Sequence, residues 1–196
     1  MQLIGMLDSP YVRRVAIALK RLDIPFEHQS LSVFRDFDAF SQINPIVKAP
    51  TLVTDDGIVL VDSTLILQYL DGISATSLMP KIAQPQALRL TGLGLMACDK
   101  TVQIIYERTL RPREKQHQPW LKRVTTQLQA AYGQLEQLAD ALTCNPLMQP
   151  DITVAVAWRF TQLYTADVIT PENCPKLAAF STKAEKLPEF VSTPVE

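Results

Sequence analysis

The 196-residue chain carries 19 Lys and Arg against 20 Asp and Glu, a net charge of −1, and 47% of its residues are hydrophobic. That balance argues against a nucleic-acid or anionic-membrane binder, and the length suffices for one large core or two small ones. No apolar run approaches the ~18 residues of a membrane span, and Asp8, Arg13, Arg14, Lys20 and Arg21 interrupt any signal-peptide core, so a cytoplasmic protein is expected.

Residues 2–6 predict a short strand. From Pro10, residues Val12, Val15, Ala16, Leu19 and Leu22 recur at helical spacing, opposite a polar face of Arg13, Arg14, Lys20 and Arg21. Residues 26–31 predict a second strand, and Phe37 and Phe40 a short helix closed by Asn44-Pro45, because the residue before proline avoids the α region. Residues 51–54 and 58–61 flank Asp56-Gly57, a hairpin turn signal. Asp62 then caps a helix carrying Leu65, Ile66, Tyr69 and Leu70, with Gly72 expected to end it in the left-handed conformation.

Beyond that point the stretch "ISATSLMPKIAQP" has little periodicity and reads as a linker, and only helical patterns follow. From Pro119, residues Leu121, Val124, Leu128, Ala131, Leu135, Leu138 and Leu142 form one apolar seam, read as bundle packing within the chain. Residues 152–158, "ITVAVAW", are apolar on nearly every side and predict a buried central helix. Leu177, Phe180, Ala184 and Leu187 mark a last helix before Pro188. Cys98, Cys144 and Cys174 are far apart, with no Cys-x-x-Cys pair and two histidines in the whole chain. Neither a disulfide framework nor a metal site is expected.

The segments "SPYVRRVAIALKRLDIPFE" and "NPIVKAPTLVTDDGIVLVDSTLILQYLD", in this order and spacing, resemble the cytosolic glutathione transferase family, of the serine-type, bacterial-like kind. The resemblance spans essentially the whole chain. It implies a thioredoxin-like α/β domain over 1–73 (β-α-β-α-β-β-α), a linker over 74–85 and an all-helical bundle domain over 86–196. It also implies glutathione as co-substrate, no metal, a homodimer, and no nucleic-acid or membrane partner.

On this resemblance Ser9 is the catalytic residue. It stands where related thiol-disulfide folds carry the first cysteine of Cys-Pro-Tyr-Cys, so the thiol comes from the ligand and the protein supplies a donor to its thiolate. Read from the residues alone, Ser9 before Pro10 is an N-cap. The resemblance further implies a cis Ala49-Pro50 bond, Ala49 pairing strand-like with the cysteinyl part of glutathione, and Lys48 meeting its glycyl carboxylate. Asp62 and Ser63 would hold the γ-glutamyl end, a role compatible with capping.

Four positions depart from the family pattern. Val47 stands where Gly is frequent, Ala49 where Val is common, Asp62 is one methylene shorter than the usual Glu, and Met148 replaces the Ser or Thr of a capping box whose Asp151 is present. Two functions of different class follow: conjugation of the glutathione thiolate to small electrophiles, or a non-catalytic binding or regulatory module on the same fold. A disulfide reductase with its own reactive cysteine fits least, since Ser9 and Val12 replace both sulfurs.

Overall fold

The computed structural model describes residues 1–195, which divide into two compact units: Met1–Met79 with the last residues from Leu187, and Pro80–Lys186. The first unit is built on strands β1 (Gln2–Ile4), β2 (Glu27–Gln29), β3 (Thr51–Val53) and β4 (Val59–Val61), and helices α1 (Pro10–Arg21), α2 (Phe37–Ile43) and α3 (Ser63–Ile73). The sheet order is β2-β1-β3-β4, with β1 parallel to β2 and antiparallel to β3, and β3 antiparallel to β4. This is the predicted β-α-β-α-β-β-α arrangement, a thioredoxin-like mixed sheet with helices. Thr54 N–H to Ile58 O and Gly57 N–H to Thr54 O, both 3.0 Å, close the hairpin at the expected glycine, whose φ is +79°.

Helix α3 does not stop at Gly72. It continues to Ile73 and ends at an extended Ser74, because the Asp71 carboxylate accepts from Ser77 Oγ and Leu78 N–H (both 2.8 Å) and ties down the segment that follows. Of the polar face expected on α1, Lys20 and Arg21 are exposed, but Arg13 and Arg14 are only 2% and 1% exposed.

The second unit contains α4 (Gln84–Thr109), α5 (Gln118–Leu138), α6 (Gln149–Tyr164) and α7 (Pro175–Ala184). The α5 seam buries Val124, Leu128, Ala131 and Leu135, then stops short of Leu142, which follows a single 3₁₀ turn. Helix α6 is buried almost throughout, as its uniform apolarity requires. Gly94 lets α4 approach it closely, for a Cβ there would lie 3.0 Å from Thr153 Cγ2. Tyr132 OH donates to Ala157 O (3.0 Å) or to Thr161 Oγ1 (2.7 Å), joining α5 to α6.

The chain's end differs from a helical domain running unbroken to 196. Pro188 opens a short helix, α8 (Pro188–Val191), that packs on α1 in the first unit. Arg13 Nε donates to Thr193 O at 2.9 Å, and its guanidinium lies 5.4 Å from the Phe190 ring centroid. A buried guanidinium needs such acceptors, and the returning segment supplies them.

Candidate functional site

Ser9 sits where β1 gives way to α1, with extended backbone (φ −69°, ψ 122°). Its carbonyl accepts the first helical hydrogen bond, from Arg13 N–H at 2.9 Å, yet its side chain makes no capping bond. Pro10 has no N–H to satisfy, and among the described residues no hydrogen bond takes the Val12 N–H. The start of α1 therefore presents a serine hydroxyl that makes no capping bond.

Gly5, just before this junction, is a residue that the sequence reading passed over. Its φ of +133° suits only glycine, and a Cβ there would fall 2.6 Å from Val12 Cγ2 and 3.0 Å from Ala49 Cβ. The Ser9 junction and the Ala49-Pro50 loop therefore close on one point of bare backbone. The only sequence signal was a glycine ending a strand.

The segment from Asn44 to Thr51 is braced from within. Asn44 Oδ1 accepts Ile46 N–H at 3.0 Å, Asn44 Nδ2 donates to Thr51 Oγ1 at 2.9 Å, and Thr51 Oγ1 donates to Lys48 O at 2.7 Å. The brace holds Val47 at φ +51°, a left-handed value that a β-branched residue rarely adopts. It presents Lys48 exposed, and the Ala49-Pro50 bond is cis, as expected. Among the described residues the Ala49 backbone makes no hydrogen bond, so its N–H and C=O form a short open edge.

At the start of α3 the Asp62 carboxylate accepts from Thr64 N–H at 2.8 Å and Leu65 N–H at 3.4 Å, so its capping role is made. Ser63 is 3% exposed, and its hydroxyl meets Arg14 Nη1 at 3.2 Å. Helical periodicity placed Arg14 on the polar face of α1 and gave no sign of this contact.

Neither Cys144 nor Cys174 is activated by its surroundings. Burial pushes Cys174 up to about 11 and raises Cys144 as well, opposite to what a reactive cysteine needs. Among the described residues no group of His, Cys, Asp and Glu is placed to hold a metal ion, and no helix is long and apolar enough to cross a membrane.

Residues 3–77 match the sequence family described as glutathione S-transferase, N-terminal domain. A Pseudomonas fluorescens Pf-5 glutathione transferase family member, solved with bound glutathione, is 30% identical over 100% of this chain and 98% of its own, with a TM-score of 0.88. The uncharacterized GST-like protein YibF of Escherichia coli is 30% identical over 97 residues, 50% of this chain and 48% of its own length. Glutathione S-transferase U4 of Arabidopsis thaliana is 33% identical over 72 residues, 37% of this chain and 32% of its own length. The chain thus spans about half or less of the curated relatives it matches.

Proposed function

The chain belongs to the glutathione transferase family, and on that premise we propose that it binds glutathione in its first unit and conjugates the thiolate to small electrophiles. Ser9 is the catalytic residue in this reading: its hydroxyl donates to the glutathione sulfur and holds it as thiolate. The observation that carries the reading is that Ser9 spends nothing on capping the helix it begins. Lowering a thiol from ~8.5 to ~6.5 takes about 2.7 kcal/mol. One hydrogen bond to a charged atom supplies ~1.5–3 kcal/mol and a helix end ~0.3–1, so a serine hydroxyl at the start of α1 is sufficient.

The rest of glutathione follows from the same unit. The open Ala49 edge before Pro50 pairs with the cysteinyl backbone, exposed Lys48 meets the glycyl carboxylate, and Asp62 with Ser63 holds the γ-glutamyl end. The thiolate then attacks the electrophile, forming a carbon–sulfur bond as the leaving group departs or the electrophile takes up a proton. Exposed Val59 and Leu65, on edge strand β4 and on α3, suit the homodimer expected of the family.

Calorimetric titration with glutathione, followed by a screen of generic electrophiles, tests the reading. Binding with turnover supports it. Binding without turnover on any electrophile turns the chain into the binding module, and no binding at millimolar glutathione removes both the cleft and the chemistry.

A further inference from the structure

Beside the Ser9 junction the first unit carries a cation that the binding of glutathione leaves unused. Arg35 lies on the loop between β2 and α2. The start of that loop is held against the end of β1, where Gly5 N–H donates to Gln29 O at 3.0 Å and His28 Nε2 lies 2.7 Å from Gly5 O. The loop is also pinned from within. Ser32 N–H donates to the Asp36 carboxylate at 2.8 Å, and the Ser32 hydroxyl accepts from Phe34 N–H and Arg35 N–H, each at 3.2 Å.

From this fixed base the Arg35 side chain reaches back to the junction, where Nη2 meets Met6 Sδ at 3.2 Å. Met6 is itself bonded to the serine, since its carbonyl accepts Ser9 N–H at 3.2 Å. A thioether is a weak acceptor, whereas a guanidinium presents a fork of donors that matches a carboxylate. Among the described residues no carboxylate forms an ion pair with Arg35, and its neighbour Asp36 is turned onto Ser32 N–H. Arg35 is exposed, and so is Phe34 before it, at 58%. Next to Ser9 the first unit thus offers two apolar side chains, Met6 and Phe34, and one cation.

We propose that Arg35 is a specificity-determining residue for the electrophile: it pairs with a carboxylate on that substrate, so the site favours electrophiles that join an apolar body to an acid. The proposal rests on the glutathione reading above, because the electrophile is met by the thiolate at Ser9. A chloronitrobenzoate is an electrophile of this class. The thiolate sulfur attacks the carbon that bears chlorine, the carbon–sulfur bond forms, and the carbon–chlorine bond breaks. Chloride leaves with the bonding pair, and the proton of the thiol passes to solvent.

The full chain is assayed with glutathione and two electrophiles, a chloronitrobenzoate and the corresponding amide, each kcat/KM being divided by its uncatalysed rate constant. The unsubstituted protein should prefer the acid by about 3- to 5-fold, the size of a solvent-facing ion pair. That preference should shrink as salt is raised. Arg35→Gln should abolish it by slowing the acid alone, and Arg35→Glu should reverse it. Neither variant should change the calorimetric affinity for glutathione or the Tm, since the side chain is exposed.

A preference that survives Arg35→Gln, or no preference in the unsubstituted protein, overturns the proposal. Weaker glutathione affinity with both electrophiles slowed alike would assign Arg35 to a carboxylate of glutathione itself, and it overturns the proposal while leaving the glutathione reading in place. Glutathione binding without turnover of either electrophile overturns it as well. No glutathione binding at all removes the glutathione reading and the proposal with it.

Discussion

In the helical unit carboxylates meet the starts of α5, α6 and α7, though not that of α4, whereas in the first unit the serine that begins α1 makes no side-chain capping bond. In the helical unit Glu107 accepts His117 N–H (2.7 Å) at the start of α5, and Asp151 accepts Met148 N–H (3.0 Å) at the start of α6. Glu136 accepts Lys176 and Leu177 N–H (2.9 and 3.1 Å) at the start of α7. In the first unit α3 is capped by Asp62, but Ser9 at the head of α1 makes no capping bond. Helix ends are anion sites by default, and a protein that only needs stability fills them from within.

The largest expected effect lies at the most tightly closed end. Asp151 is buried, and that burial raises its carboxyl from 3.8 to about 6 against the opposing N–H bonds of Thr143 and Met148. The folded protein therefore holds this proton to higher pH than the unfolded chain does. The stability that results is complete below the unfolded value and is lost as pH rises through the folded one. Relative to Asp151→Asn, the unfolding free energy should fall by up to about 3 kcal/mol between about pH 4 and about pH 7, and level off above that. Parallel denaturant titrations of the two proteins measure it. A flat difference would mean that this closed end costs nothing in its charged form.

At the start of α1 the effect should appear in chemistry rather than stability. Ser9→Ala should lower the conjugation rate near neutral pH by about 10- to 100-fold, equivalent to ~1.4–2.7 kcal/mol, and raise the pKa of bound glutathione. Its unfolding free energy should move by less than about 0.5 kcal/mol, since no cap is lost. Thiolate absorbance against pH, with denaturant unfolding alongside, reads both quantities. Identical thiolate titrations would take Ser9 out of the mechanism, and a stability loss of a full cap would erase the contrast between the units.

Asp62→Ala is the control within the first unit. It removes two real capping bonds and should cost ~1 kcal/mol of stability, measurable by the same unfolding experiment. The smallest effect should be a gain. Val47 sits at φ +51°, and Val47→Gly should relieve its strain for a net stabilisation of about 0.5–1 kcal/mol after glycine's own entropy cost. If glutathione affinity falls as Tm rises, the strain belongs to the site.

Much of the fold was legible in the chain. The strand-helix alternation, the helix opening at Pro10, the turn at Asp56-Gly57 and the burial of 152–158 all follow from side-chain spacing and turn chemistry within a few residues of each other. The cis Ala49-Pro50 bond was reached only through family resemblance, because local propensity favours trans.

Other features were set by partners distant along the chain. Helical spacing placed Arg13 and Arg14 on a polar face of α1, but what that face meets is decided by the returning Phe190 and Thr193 for one and by Ser63 and Thr64 for the other. Gly72 carried a stop signal that the Asp71 tether overrode, and Gly5 carried none for the close approach of Val12 and Ala49. Ser9 had every local mark of a cap and makes no capping bond. Periodicity determines which residues share a face, because it is a property of one segment. Which group satisfies a buried donor or leaves a hydroxyl uncommitted depends on what a second segment brings against it, and only the packed structure decides that.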